Sequence, residues 1–336
     1  MIDLARLVAE AREARGLGRE RARELLHAPA ADDWAIVAAA AALREEHFGR
    51  RVRLHVLLNA KKGACQEDCG FCSQSAHHAP VTGIDAHEML DTESIVQAAR
   101  RASALGAYRF CIVTATRGPT TRDLDRLVPA LERIRDELPV KVCCSLGLLE
   151  SDAHADRLAG AGVDRFNHNL EAGPRGYAEV CTTHTWEERA ETVARARRAG
   201  MGTCCGGIVG LEADHEDWLD WLFALRELDV DSVPVNFLDP RPGTPLAHRP
   251  KIAPREALRR LAIVRLVHPH REVRAAGGRE VVLRSLQPLA LAVANSIFTE
   301  GYLTTGGAGV DDDARMIEDA GYVVERPETA RSHQPA

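Results

Sequence analysis

Residues 52–59, Val-Arg-Leu-His-Val-Leu-Leu-Asn, are a short run of mostly aliphatic side chains, and residues 60–72, Ala-Lys-Lys-Gly-Ala-Cys-Gln-Glu-Asp-Cys-Gly-Phe-Cys, follow it at once. A strand, a loop loaded with cysteines and then an amphipathic stretch near 92–105 make up the first unit of an alternation that runs to the end of the chain. Further strand-like runs begin at Tyr108, Val140, Val163, Gly202, Ser232, Glu272 and Asn295. Helical stretches lie near 121–137, 151–161, 185–199, 214–228, 254–267 and 281–293, with a last one near 311–320. Eight such units in one composition regime predict an α/β chain with a (β/α)8 TIM-type barrel over 51–320; a doubly wound open sheet is the alternative. Residues 1–50, with apolar side chains at helical spacing (Leu4, Leu7, Val8; Ile36, Leu43), read as N-terminal helices packing on the barrel. Residues 321–336 read as a C-terminal tail, disordered from 326 onward.

In a barrel of this type, chemistry sits on the loops after the strands. The cysteine loop occupies such a position.

Composition narrows the function classes. Of 336 residues, 43 are Lys or Arg and 49 Asp or Glu, a net charge of −6 with both signs mixed along the chain, so no nucleic-acid footprint is expected. The longest apolar runs, at 34–43 and 289–293, fall short of the roughly 18 residues that a membrane span needs. The opening Met-Ile-Asp-Leu-Ala-Arg has neither the basic nor the apolar region of a secretory signal, and the chain reads as soluble and cytoplasmic. All nine cysteines fall between Cys65 and Cys205, an odd count that argues against a disulfide scaffold and for metal or redox chemistry in a reducing compartment.

Cys65-x3-Cys69-x2-Cys72 is the informative run. Four thiolates complete the coordination of an iron–sulfur cube, whereas three on a short loop leave one iron open to an outside ligand, as catalytic zinc sites keep a vacant position. A structural zinc site would need a fourth ligand, with His77 and His78 nearest in sequence, and a simple electron carrier would end its run Cys-x3-Cys-Pro.

With that spacing the chain resembles the radical S-adenosylmethionine (SAM) superfamily. Within it, residues 59–75, Asn-Ala-Lys-Lys-Gly-Ala-Cys-Gln-Glu-Asp-Cys-Gly-Phe-Cys-Ser-Gln-Ser, resemble the biotin synthase family. Further stretches carry the same resemblance: Arg109-Phe-Cys111, Asn167-His-Asn-Leu170, Cys204-Cys-Gly-Gly-Ile-Val-Gly210, Val233-Pro-Val-Asn-Phe-Leu238, Gly243-Thr-Pro-Leu246, Gly277-Gly-Arg-Glu280 and Leu303-Thr-Thr305. They run in order across about residues 35 to 310.

The resemblance implies sulfur insertion into dethiobiotin to give biotin, with 5′-deoxyadenosyl radicals removing two hydrogens. It implies a [4Fe–4S] cluster on Cys65, Cys69 and Cys72 whose open iron takes SAM. A [2Fe–2S] cluster, the sulfur source, is implied on Cys111, Cys143 and Cys204 with Arg274 as an unusual fourth ligand. Taken alone, Cys111 would read as a small buried apolar residue, whereas a guanidinium inside a barrel must be paired and an anionic cluster would pair it. For SAM, the resemblance implies Phe71 near the adenine, Asn169 and Glu171 on the ribose and Arg189 on the carboxylate; the family commonly has Asp where Glu171 stands. For dethiobiotin it implies Asn169 and Asn236 on the ureido ring and Asn167, Thr304 and Thr305 on the polar tail. An electron donor of flavodoxin or ferredoxin type and a homodimer are also implied. Two other classes stay open: a different radical SAM enzyme on a similar barrel, such as a cofactor-maturation protein, and a non-catalytic iron–sulfur or zinc protein. Cys144, Cys181 and Cys205 have no implied role. Because neighbours on a strand face opposite ways, only one of each pair 143/144 and 204/205 can face the barrel interior.

Overall fold

The computed structural model describes residues 2–303 and 307–327. Its strands are β1 (Arg51–Lys61), β2 (Arg109–Thr114), β3 (Lys141–Ser145), β4 (Arg165–Asn167), β5 (Gly202–Cys204), β6 (Gly207–Val209), β7 (Ser232–Phe237), β8 (Glu272–Ala275), β9 (Ser296–Thr299) and β10 (Val323–Glu325). Every ladder is parallel, and β1 pairs with both β2 and β9, so the sheet closes on itself and the open-sheet alternative falls. Eight strand positions make up the barrel, β5 and β6 sharing one of them; both pair with β7. The break falls at Cys205 and Gly206, where a Cβ on Gly206 would stand 1.9 Å from the Pro234 carbonyl oxygen. Only glycine allows the strand to bend that close to its neighbour.

The helices are α1 (Leu4–Glu13), α2 (Arg19–Leu26), α3 (Asp33–Phe48), α4 (Ala79–Thr82), α5 (Thr92–Ala104), α6 (Thr121–Glu137), α7 (Asp152–Gly160), α8 (Pro174–Ala178), α9 (Trp186–Arg198), α10 (His215–Glu227), α11 (Pro254–Val267), α12 (Arg279–Leu283), α13 (Gln287–Val293) and α14 (Val310–Asp319). Side chains at the N-caps set where the outer helices start: Asp91, Ser151 and Asp214 cap α5, α7 and α10, and capping boxes at Thr120 and Thr185 start α6 and α9. The stretch expected as one helix over 281–293 is two, because Arg284 takes a positive φ of 50° and Pro288 favours a fresh start at the first turn of α13.

Strand parity divides the molecule into layers. Phe110, Ile112, Val142 and Cys144 point outward into a cluster with α5, α6 and α7, while Cys205, Val233 and Val235 point outward into a second cluster with α10 and α11. Leu7, Ile36 and Leu43 of the first helices join that second cluster with Leu261, Val264 and Leu291. There Arg44 donates to the Arg51 carbonyl at 2.7 Å, tying α3 to the N-terminal end of β1.

The segment expected as a tail departs from that reading. Val323–Glu325 pairs with Arg51–Arg53, the part of β1 that precedes its register with β2 at His55. Unpaired backbone on a long strand recruits another strand. Residues 328–336 lie outside the described part.

Candidate active site

The cysteine triad sits on the loop leaving the C-terminal end of β1. That loop folds back on itself: Cys65 N donates to the Gln74 carbonyl at 3.0 Å, Ala76 N to the Cys65 carbonyl at 2.7 Å and Cys72 N to the Cys69 carbonyl at 2.9 Å. Gly70 N donates to the Val180 carbonyl at 2.7 Å, and the Asp68 carboxylate accepts from Thr182 N at 2.9 Å, so the loop is pinned to the segment after α8. Cys65, Cys69 and Cys72 all line one open cavity of about 1040 Å³, the solvent at its opening included, in the mouth of the barrel. Burial pushes the thiols of Cys65 and Cys72 up, the latter to about 11. Without a metal they stay protonated at neutral pH.

The other residues expected at SAM converge on the same cavity. Arg189, in the first turns of α9, is buried; its Nε donates to Tyr177 Oη at 2.5 Å, its Nη1 to the Asn169 carbonyl at 2.8 Å, and its Nη2 lies 4.0 Å from Cys69 Sγ. The Asn169 amide accepts from Gly206 N at 3.1 Å and donates to Glu171 Oε1 at 3.4 Å. Glu171 has a positive φ of 68°, its carboxyl is raised by burial, and Oε2 has no partner. The ring nitrogen Nε2 of buried His168, on the same wall, has none either. Buried orphan groups of this kind cost stability unless a ligand satisfies them. Phe71 lines this cavity and a neighbouring one of about 730 Å³, where Asn236 also lies. Asn236 accepts from Gly277 N at 2.9 Å and donates to the Gly207 carbonyl at 3.2 Å, which leaves one N–H and one lone pair of its amide free. Asn167 faces the first cavity and donates to Ser145 Oγ at 3.3 Å. Thr304 and Thr305 lie outside the described residues.

Deeper in the barrel the register brings the second set together. Cys111 and Cys143 are direct partners across β2 and β3, and Arg274 stands on β8. Cys111, Cys143 and Arg274 line the cavity. Cys204 does not, but its Sγ accepts from Arg274 Nη1 at 3.6 Å. The hydrogen bond with Cys111 and then burial push Cys143 well above its ordinary pKa. Cys144 and Cys205, their sequence neighbours, are in the outer clusters.

Three buried sulfurs and a guanidinium whose Nε has no partner suit an anionic metal cluster.

Beneath this set lies a charged floor that no sequence motif announced. Glu272 accepts from Arg274 at 2.6 Å, Arg165 at 3.1 Å and Arg53 at 3.2 Å, and His55 Nε2 lies 3.2 Å from its Oε1. Burial pushes its carboxyl up, but Arg165, His55 and Arg274 outweigh burial and hold it well below the usual range. His55 Nδ1 is 4.0 Å from Cys111 Sγ. Tyr302, whose phenol is pushed up by burial, is a second residue that the sequence did not single out; it walls both cavities. A period-2 pattern with charges at 53, 55, 272 and 274 was the available signal, and it reads equally well as surface alternation.

The radical SAM superfamily profile matches residues 62–225 and the biotin and thiamin synthesis associated domain matches 234–323. The chain is 50% identical over 306 residues to biotin synthase of Salinibacter ruber, covering 91% of this chain and 84% of that protein. It is 41% identical over 314 residues to biotin synthase of Bacillus subtilis subsp. natto, covering 93% and 92%. In three dimensions it is similar to methylornithine synthase, with a TM-score of 0.82 at 20% identity over 96% of this chain and 98% of that one, a likeness of fold. A barrel with three cysteines at its mouth, together with likeness of this extent over nearly the whole chain, leads to one assignment: the chain belongs to the biotin synthase family of radical SAM enzymes.

Proposed function

We propose that this chain is a radical SAM sulfurtransferase that inserts sulfur into dethiobiotin to form biotin. The observation that carries the reading is the inner set, Cys111, Cys143, Cys204 and Arg274, gathered from four strands beneath the Cys65, Cys69 and Cys72 loop. When bound, a [4Fe–4S] cluster with SAM at the triad supplies a radical able to take hydrogen from saturated carbon, and a [2Fe–2S] cluster at the inner set supplies sulfur. The protein's part is to bind, orient and exclude water.

Arg189 Nη2, held beside Cys69 by the bonds of Nε and Nη1, is aimed to receive the carboxylate of SAM. Glu171 Oε2 accepts from a ribose hydroxyl and Phe71 packs on the adenine. Asn236 offers its spare N–H and lone pair to the ureido group of dethiobiotin, with Asn169 on the other side and Asn167 toward the tail. Thr304 and Thr305 complete the tail contacts in this reading. SAM cleavage consumes electrons, which we assign to an external donor of flavodoxin or ferredoxin type; a homodimer belongs to the same reading by likeness to the family. No helix among the described residues is long and apolar enough to cross a membrane, and nine free cysteines suit a reducing compartment such as the cytoplasm.

The test is a single anaerobic turnover with dethiobiotin after iron and sulfide reconstitution, measuring biotin and 5′-deoxyadenosine per chain. Wild type should form both, Cys69→Ala neither, and Cys143→Ala 5′-deoxyadenosine without biotin. Production of 5′-deoxyadenosine by Cys69→Ala, or a wild-type biotin yield from Cys143→Ala, would overturn the respective assignment.

A further inference from the structure

Cys181, one of three cysteines that the reaction leaves unused, is buried on the segment between α8 and α9. Its Sγ lies 3.8 Å from Cys69 Sγ and 3.3 Å from His184 Nδ1. These three donor atoms all fall within 4.8 Å of one another, and all three residues are buried. Tetrahedral zinc holds sulfur at about 2.3 Å and imidazole nitrogen at about 2.0–2.1 Å, which sets two sulfurs about 3.8 Å apart and a sulfur and nitrogen about 3.5 Å apart. The Cys69–Cys181 and Cys181–His184 separations are close to those edges, and Cys69 and His184 donors lie within 4.8 Å of each other.

The surroundings are arranged as a metal site requires. His184 Nε2 is 2.7 Å from Tyr177 Oη, which also accepts from Arg189 Nε at 2.5 Å, so the ring is fixed with Nδ1 turned to the sulfurs. The buried Glu67 carboxylate meets that same nitrogen in a hydrogen bond, which gives way when Nδ1 takes a metal, and it lies outside the group of three donors. Two thiolates balance a divalent cation, and the Glu67 carboxylate beside them adds one negative charge. Arg189 Nη2, 4.0 Å from Cys69 Sγ, and Arg117 Nη1, 3.5 Å from Glu67 Oε1, face it. His77 and His78, the histidines nearest the triad in sequence, are not among these donors: His77 Nε2 meets the Gln66 carbonyl at 3.1 Å, and His78 Nε2 has no partner.

We propose that in the chain without its clusters Cys69, Cys181 and His184 bind one zinc ion, with water from the cavity that Cys69 lines as fourth donor. Cys69 is then shared by two metal sites that exclude each other. Zinc takes both sulfurs as thiolates, which breaks the hydrogen bond between them and withholds Cys69 from the triad. The zinc site stands on its own geometry; only the competition rests on the proposed role of Cys69.

The full-length chain, purified anaerobically without iron under reducing conditions, is titrated with zinc against a chromophoric chelator, and with cobalt(II) for its absorption spectrum. One zinc per chain and a tetrahedral cobalt spectrum with thiolate charge-transfer bands are expected. Loss of an outer partner of a metal ligand alone costs about 10–100-fold in affinity, so Cys181→Ser and His184→Gln should weaken zinc binding by roughly 100-fold or more. Cys65→Ser and Cys72→Ser should bind as wild type does, with far-UV circular dichroism confirming the fold of each variant. Zinc should slow cluster reconstitution in wild type and not in Cys181→Ser. Wild-type affinity in Cys181→Ser, equal loss in Cys65→Ser and Cys72→Ser, or a cobalt spectrum without thiolate bands would overturn the proposal. A failure to make biotin would leave these zinc readouts untouched, so the two readings fail separately.

Discussion

Glu272→Gln tests whether the floor of the barrel holds the inner site in place. The wild-type carboxylate is buried and meets three guanidiniums at 2.6–3.2 Å, those of Arg274, Arg165 and Arg53. Arg53 keeps a second anion in Glu325, at 3.0 Å, but the ion pairs of Arg165 and Arg274 are with Glu272. The amide preserves the shape of the side chain and one acceptor oxygen, so the change removes charge more than volume. Removing one partner of a buried ion pair costs about 3–5 kcal/mol, because the remaining charge stays desolvated. With two guanidiniums stranded, the upper half of that range is expected. Equilibrium urea denaturation of the cluster-free chain at neutral pH, followed by far-UV circular dichroism, measures it as a fall in midpoint at constant slope. Arg274 also loses the bond that directs Nη1 toward Cys204, so iron retained at the inner set should fall. A stability loss below about 1 kcal/mol would mean that the floor is solvated in practice, and the reasoning would fail.

Two further outcomes follow from burial. Cys144→Ala should cost about 1–2 kcal/mol of stability and leave the iron content unchanged, since Cys144 packs among the outer helices while Cys143 lines the cavity; loss of one cluster's iron in Cys144→Ala would reverse the parity assignment. His268 is held neutral in the fold: burial pushes its imidazole down to about 3, against a weaker upward pull from the Leu222 carbonyl. Because its folded pKa is the lower one, the unfolded chain binds more protons between about pH 3 and 6.5, and stability is lost as pH falls through that window. Between pH 7 and 5 this amounts to about 2 kcal/mol, which His268→Gln should remove from the pH profile of urea midpoints; an unchanged slope would refute it.

The amino-acid sequence determined where the eight barrel strands begin to within about two residues, and most of the helices between them. Local signals did so: caps at Asp91, Thr120, Thr185 and Asp214 and short apolar runs on the strands act within a few residues of where they are written. The triad was legible for the same reason, its three thiols lying within one loop. Parity allowed only one of Cys143 and Cys144 to face inward, and the resemblance selected Cys143 and its grouping with Cys111. Closure of the sheet was left to tertiary structure, since β1 and β9 meet across most of the chain and no local pattern encodes that contact. The same holds for β10, which joins β1 only because the barrel leaves the start of that strand unpaired. Glu272 and its cations, and the meeting of Cys69 with Cys181 and His184, are likewise contacts between segments far apart in sequence. A charge or a thiol on one segment carries no local mark of its partner on another; burial selects the pairing, because inside a barrel each such group must find a counterpart or lose its stability.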